Sequence, residues 1–206
     1  MVVNEGSETI SEHFFIPFTE EYLAIVLQWR NSERVRMNMH SNRPITQCEH
    51  KKWFSALSDD QNRESWIYCQ HQRPVGILNF TDVKTEHIEW GCYLGETDIL
   101  PGSGLILEWA ALNWASRQEH CLTLDAQVLS FNTSALKLHK LFGYEKIKSE
   151  QGGTRLLEES DVEETYQVHF FSYATEMWKN NKLKVLTRMP RPIQKAIGQI
   201  QFLYKD

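Results

Sequence analysis

The first apolar run of the chain, 13-HFFIPF-18, is short and aromatic and predicts a strand. Thr19 follows as a helix cap, with Glu20 and Glu21 in the first turn, where the helix dipole favours acids. Tyr22, Leu23, Val26 and Leu27 recur at helical spacing, and this helix runs out near Trp29 and Arg30. Thr46 and Glu49 have the spacing of a capping box, so a second helix is predicted to about Leu57, with Trp53, Phe54 and Leu57 as its apolar positions. Trp66–Gln70, Val75–Phe80 and Ile88–Leu94 are short, aromatic and β-branched, and 71-HQRP-74 links the first two as a hairpin. A helix is predicted over Gly104–Arg117. Leu122, Leu124, Ala126 and Val128 then alternate with Thr123, Asp125 and Gln127, the pattern of a half-buried strand. Asn132 caps a helix over 132-NTSALKLHKLF-142, which stops at Gly143, the C′ glycine. Glu145–Lys148 and Tyr166–Tyr173 close the pattern as two strands around a turn at Gly152–Gly153. The order of elements predicts an α/β fold with a mixed sheet.

Composition narrows this picture. The chain has 206 residues, of which 41% are hydrophobic and 24% charged, which suits one globular domain or one with an appendage. Its formal net charge of -5 sets up no global basic field, so nucleic-acid binding is not expected. There is no apolar leader with a cleavage site and no run long enough to span a bilayer, so a cytoplasmic protein is expected. Cys48, Cys69, Cys92 and Cys121 are widely spaced and form no CxxC, so neither a metal site nor a redox motif is expected. Residues 1–12 are polar and read as a flexible N-terminus to a domain over 1–178. From Lys179 the composition turns basic and is broken by Pro190 and Pro192. This extension, 179–206, ends with Ile193, Ile197, Ile200 and Tyr204 at helical spacing, an amphipathic helix that docks on its own domain or on a dimer mate.

One stretch points to chemistry. In 99-ILPGSGLILEWAALNWA-115, Gly102 and Gly104 stand where a helix must start, although glycine is a poor helix former. A helix N-terminus leaves main-chain N–H groups unpaired and carries partial positive charge. Glycines there let a phosphate or pyrophosphate approach the main chain. The stretch has no GxxxxGK[ST], so it is not a P-loop, and Leu107 replaces the third glycine of a dinucleotide fingerprint.

The run 88-IEWGCYLG-95, then 99-ILPGSGLILEWAALNWA-115, then 132-NTSALKLHKLFGY-144 resembles the GNAT superfamily of acyl-CoA N-acetyltransferases. The resemblance covers about residues 13–175, and Asn132, Ala135, Leu138, Gly143 and Tyr144 stand at family positions. It implies a mixed, mostly antiparallel sheet of about seven strands flanked by about four helices, with a C-terminal extension. It implies acetyl-CoA as cosubstrate and no metal. The coenzyme's pyrophosphate would rest on the N–H groups of Gly102, Ser103, Gly104 and Leu105, and Asn132 would contact the pantetheine arm. The main chain near Tyr93 or Leu94 would hold the acetyl carbonyl. Ile99 stands where the family has a polar side chain, and Pro101 offers no N–H.

Acetyl transfer from a thioester to an amine needs a neutral amine, a polarised carbonyl and a stabilised oxyanion. The thiolate must then leave, best with a proton. Glu89 shares a strand face with His87, Gly91 and Tyr93, opposite the apolar face of Ile88, Trp90, Cys92 and Leu94. It therefore faces solvent or a cleft, and by resemblance it is the base. His139 lies on the helix stripe of Ala135, Leu138 and Phe142, where a packing role and a chemical one are both open. Many relatives carry tyrosine there as the acid for the departing thiolate.

The features 29-WRNSERVRMNM-39, 47-QCEHKKWF-54 and 78-LNFTDV-83 resemble the subgroup that acetylates a UDP-linked 4-amino sugar in pseudaminic acid biosynthesis, which serves flagellin glycosylation. The acceptor implied is of the UDP-4-amino-4,6-dideoxy-N-acetyl-β-L-altrosamine type. A diphosphate suits arginine and a uracil suits an aromatic shelf. Arg30, Asn31, Arg36 and His50 are the expected anion or sugar contacts, Trp53 the shelf, and Thr81 a partner for a sugar hydroxyl or the amine. Two other readings stand beside this one. One is acetylation of a protein α-amine, as in the ribosomal-protein N-acetyltransferases. The other is a non-catalytic acyl-CoA-binding sensor.

Overall fold

The computed structural model describes residues 12–156 and 163–204, so most of the stretch read as a flexible N-terminus lies outside the described residues. The chain runs β1 (His13–Pro17), a 3₁₀ turn (Glu20–Tyr22), α1 (Leu23–Asn31), α2 (Glu33–Arg36), α3 (Gln47–Asp59), β2 (Arg63–Gln70), β3 (Arg73–Thr81) and β4 (His87–Leu94). It continues with α4 (Ser103–Ala115), β5 (Thr123–Leu129), α5 (Thr133–Phe142), β6 (Glu145–Leu156), β7 (Glu163–Ala174), α6 (Thr175–Leu186), α7 (Arg191–Ile197) and β8 (Gln201–Phe202). Eight strands form one mixed sheet in the order β6-β7-β5-β4-β3-β2-β1-β8.

Local chemistry explains most of the boundaries. Thr46 and Glu49 do form the capping box: Glu49 N–H donates to Thr46 Oγ1, and Thr46 N–H donates to Glu49 Oε2 at 2.7 Å. Gly143 closes α5 with φ +91, a conformation that costs an L side chain and not glycine. His71 and Gln72 both have positive φ, so the β2–β3 hairpin is a two-residue turn whose twist matches its strands.

Three expectations are corrected. Thr19 makes no cap hydrogen bond, because the chain enters α1 through a 3₁₀ turn. Gly152 and Gly153 form no turn. They sit inside β6 at a one-residue register shift against β7, where the Tyr166 ring occupies the space of a Gly152 side chain. The last amphipathic segment is helical only to Ile197. Gln201–Phe202 then pair with β1 in parallel, which adds the eighth strand.

The main core lies between the sheet and α4, whose residues from Ile106 to Leu112 are all buried. The composition change at Lys179 falls inside α6. Trp178, Val185, Ile193 and Ala196 belong to the same core cluster as α4. A smaller cluster on the other face joins α1 and α3 to β1 and β2 through Phe14, Phe18, Val26 and Trp29.

Candidate active site

The sheet opens at its one internal parallel pair. Strands β4 and β5 pair in parallel from His87–Thr123 to Trp90–Ala126 and then part. Beyond that point Gly91–Leu94 pair only with β3, and Gln127–Leu129 pair only with β7. A cleft of about 790 Å³ fills the gap, lined by both strands, by the start of α5 and by the segment after α1.

Strand parity decides which main-chain groups face the gap. Gly95 N–H donates to Val75 O on β3 at 2.8 Å. Alternation along an antiparallel strand then commits the main-chain groups of Tyr93 and Gly91 to β3, and turns those of Cys92 and Leu94 toward β5. Of the two residues expected to hold the carbonyl, Leu94 has the free donor and Tyr93 does not.

The segment after β4 is clamped from above. Trp29 covers Gly95 so closely that a β-carbon there would overlap the indole, and Trp29 Nε1–H donates to Glu96 Oε1 at 2.7 Å. Arg34 donates to the carbonyls of Leu94 and Gly95 at 2.8 and 2.9 Å.

The glycine turn is held by buried polar groups. Gly102 has φ +89. Gln70 on β2 donates to Ser103 Oγ at 2.7 Å and accepts from Leu100 N–H at 3.0 Å, while Ser103 Oγ–H donates to Leu100 O at 2.6 Å. Ser103 N–H donates to Leu100 O and Leu105 N–H to Gly102 O. The expected four-donor cradle is therefore reduced: of its four N–H groups, those of Gly102 and Gly104 have no protein acceptor among the described residues. None of the four lines the cleft itself.

Glu89, Asn132 and His139 all line the cleft. Glu89 is half-buried and accepts from Gln127 Nε2–H at 2.9 Å. Asn132 Oδ1 caps α5 by accepting from Ala135 N–H at 3.1 Å. His139 is 4% exposed, with its ring stacked on Tyr144 at 4.5 Å and on Trp90 at 5.8 Å. Its Nδ1 lies 2.9 Å from Oε1 of Glu108, an acid buried on α4, at ion-pair distance but outside hydrogen-bond alignment, and its Nε2 is buried with no hydrogen-bond partner. Burial pushes the Glu108 carboxyl above the ordinary carboxylate range, with His139 pulling the other way. Among the described residues no group of His, Cys, Asp and Glu is arranged to hold a metal ion, and no helix is long and apolar enough to cross a membrane.

The residues expected to contact the acceptor do not line the cleft. Arg30 donates to Ser41 O at 2.8 Å, and Arg36 donates to Asn42 O at 3.0 Å. Both arginines brace the loop and neither lines the cleft. Asn31 is committed at both ends of its amide to Ile45 N and O, each at 2.8 Å. His50 is buried and stacked on Trp53, which is half-buried and packs on Phe18. Thr81 lies opposite Glu89 in the β3–β4 register, outside the lining. Arg34, Asn38, Met39 and His40 reach the cleft from this segment instead, with Asn79 from β3. Glu108 also went unread in the sequence. Its signal was available, since it is the only charged residue in 103-SGLILEWAALNWA-115.

No protein-family model matches the chain. Two forms of acetyltransferase PseH from Campylobacter jejuni subsp. jejuni, of strains 81-176 and NCTC 11168, are each 25% identical to it over 126 residues, which is 61% of this chain and 78% of theirs. The solved C. jejuni N-acetyltransferase PseH superposes with a TM-score of 0.56 at 17% identity, over 79% of this chain and 98% of its own. Spermidine N-acetyltransferase from Vibrio cholerae, solved with CoA and spermine, superposes with a TM-score of 0.68 at 14% identity, over 82% of this chain and 99% of its own. The chain has the fold of the GNAT acyl-CoA N-acetyltransferases, and within that fold it resembles acetyltransferase PseH in sequence.

Proposed function

We propose that the chain transfers acetyl from acetyl-CoA to the 4-amino group of a UDP-linked amino-dideoxy sugar in the gap between β4 and β5. The observation that carries this reading is the parting of the two strands after Trp90 and Ala126. It leaves main-chain donors of Cys92 and Leu94 open beside Glu89, with His139 lining the same cleft. The pyrophosphate of the coenzyme rests at the N–H groups of Gly102 and Gly104, where the N-terminus of α4 favours an anion. Asn132 contacts the pantetheine arm. The N–H of Leu94 donates to the acetyl carbonyl and then to the oxyanion, which a fixed donor stabilises without reorganisation. Glu89 takes the proton of the attacking amine, directly or through water, and His139 Nε2–H protonates the departing sulfur.

The acceptor is a nucleotide sugar on the strength of the resemblance of 29-WRNSERVRMNM-39, 47-QCEHKKWF-54 and 78-LNFTDV-83 to the subgroup that acetylates UDP-linked 4-amino sugars. Its polar contacts come from Arg34, Asn38 and His40, the residues of the segment after α1 that line the cleft. The test is thiol release from acetyl-CoA with three acceptors: a UDP-4-amino-4,6-dideoxy sugar, a peptide α-amine and a polyamine. Turnover is expected with the sugar nucleotide. Preference for the peptide would replace the acceptor, and binding without turnover would make the chain a sensor.

A further inference from the structure

Glu108 has no place in the reaction described above, yet it is the least expected residue of the core. It stands 1% exposed on a helix whose other buried residues, Ser103 at its start apart, are apolar. A buried carboxyl is costly without a partner. The partner is His139 on α5, at 2.9 Å from Oε1 to Nδ1. The imidazole cannot turn away, because Tyr144 and Trp90 stack against it and Phe171 meets it edge-on at 5.1 Å. Nδ1 faces Glu108, so Nε2, buried and without a hydrogen-bond partner, is the ring nitrogen left for the cleft that His139 lines.

We propose that Glu108 and His139 form a proton relay, in which His139 Nε2–H gives its proton to the departing coenzyme A sulfur as Glu108 passes its own proton to Nδ1. The inference rests on the reading of His139 as the acid. The balance is simple. The carbon–sulfur bond breaks and sulfur takes the electron pair. The Nε2–H bond breaks and S–H forms, while the shared proton ends on Nδ1. The pair is left with one proton fewer, a Glu108 carboxylate facing a neutral imidazole protonated at Nδ1, and it regains that proton from water. Glu108 never touches the substrate, so it is a positioning residue that acts through His139. The other titratable groups around the pair are Cys92 on β4, Tyr144 after α5 and Tyr173 on β7.

The relay answers a chemical need. A single neutral imidazole that loses Nε2–H becomes an anion, which is prohibitive at neutral pH. A proton arriving at Nδ1 in the same step avoids this. Trp90, Tyr144 and Phe171 enclose the ring, and Glu108 is the acid placed at Nδ1 to supply that proton.

The experiment measures kcat, KM for acetyl-CoA and melting temperature for Glu108→Gln, His139→Phe and the double variant, following thiol release with the UDP-4-amino sugar, or into water if that acceptor is not used. Glutamine keeps the shape and a hydrogen bond to Nδ1 but has no proton to pass. The expected result is a kcat lower by ~10-fold or more in Glu108→Gln, with KM for acetyl-CoA and folding retained, and no further loss in the double variant beyond His139→Phe. Full activity in Glu108→Gln beside a slow His139→Phe would overturn the relay and leave His139 as a lone acid. Losses that multiply would assign Glu108 a separate role and overturn it as well. Full activity in His139→Phe would sink the acid reading itself, a distinct outcome. A measurement on the unmodified protein covers a variant that does not fold: nitrogen-15 spectra of labelled histidine should show His139 protonated at Nε2, and a bare Nε2 contradicts the relay.

Discussion

Gly104 on α4 faces Leu138 on α5: a β-carbon at position 104 would stand 3.1 Å from Leu138 Cδ1. Gly104, in the first turn of α4 where the coenzyme is proposed to rest, is therefore also the point where two helices meet. Its substitution tests packing before it tests binding. Gly104→Ala should be near neutral, because the ~1 kcal/mol gain in helix propensity offsets a contact that Leu138 can relieve. Gly104→Val should cost about 1–3 kcal/mol as overpacking. Urea melts without ligand give both values, and a fully stable valine variant would mean that α5 is not held against α4 as described.

Gly91 is the cleaner probe of the cleft. It lines the gap, and a β-carbon there meets no atom within 4 Å. Gly91→Leu should keep or raise the melting temperature, since a strand interior prefers a side chain to none. It should raise KM for the acceptor several-fold by filling space next to Glu89. An unchanged KM would move the acceptor out of the β4–β5 gap.

Arg34 and Arg30 should behave differently, although the sequence presents them alike. Arg34 lines the cleft and holds the carbonyls of Leu94 and Gly95. Arg34→Ala should raise KM for both substrates about 10-fold, since it loosens the donor strand and removes a cation from the acceptor side. Arg30 donates to Ser41 O behind the loop, and burial lowers its pKa, so Arg30→Ala should act mainly on stability. Steady-state kinetics with each substrate varied in turn separates the two. A larger KM effect from Arg30 than from Arg34 would restore the first reading of the loop.

Glu108 also predicts how stability depends on pH. Its folded-state pKa is raised above its ordinary 4.5, chiefly by burial. The folded state thus holds this proton at pH values where the unfolded chain has released it, so stability falls as pH rises from 4.5 through the folded value. Glu108→Gln removes that dependence. The melting temperature of the glutamine variant minus that of the unmodified protein should grow from acid to neutral pH. A difference independent of pH would mean that Glu108 is not desolvated as described.

The sequence made the fold readable, because its elements depend on local signals. Capping residues, alternation and glycines at helix ends act within a few residues, and Thr46, Asn132 and Gly143 each do what their positions imply. The last amphipathic segment misled because helical spacing over Ile193, Ile197 and Ile200 does not reveal that the chain turns at Gly198 and pairs with β1. Which residues of the segment after α1 reach the cleft was harder to read, for a related reason. Four arginines in one irregular loop look alike, and only tertiary structure shows that Arg30 and Arg36 turn to carbonyls of their own loop while Arg34 reaches β4. His139 was legible as a residue on a helix stripe. Its pairing with Glu108 spans two helices and has no local signature beyond one acid in an apolar run.

The central claim is acetyl transfer, and the most direct measurement follows the acetyl group. The protein is incubated with acetyl-CoA labelled with carbon-13 in the acetyl group and with the UDP-4-amino-4,6-dideoxy sugar, and the products are read by NMR beside released thiol. Acetyl transfer in the gap predicts a new amide acetyl signal on the sugar, equal in amount to the thiol formed, and its loss in Gly91→Leu at limiting acceptor. Acetyl-CoA that raises the melting temperature, as any ligand of the folded state does, while its acetyl group stays on sulfur with every amine offered would contradict the account.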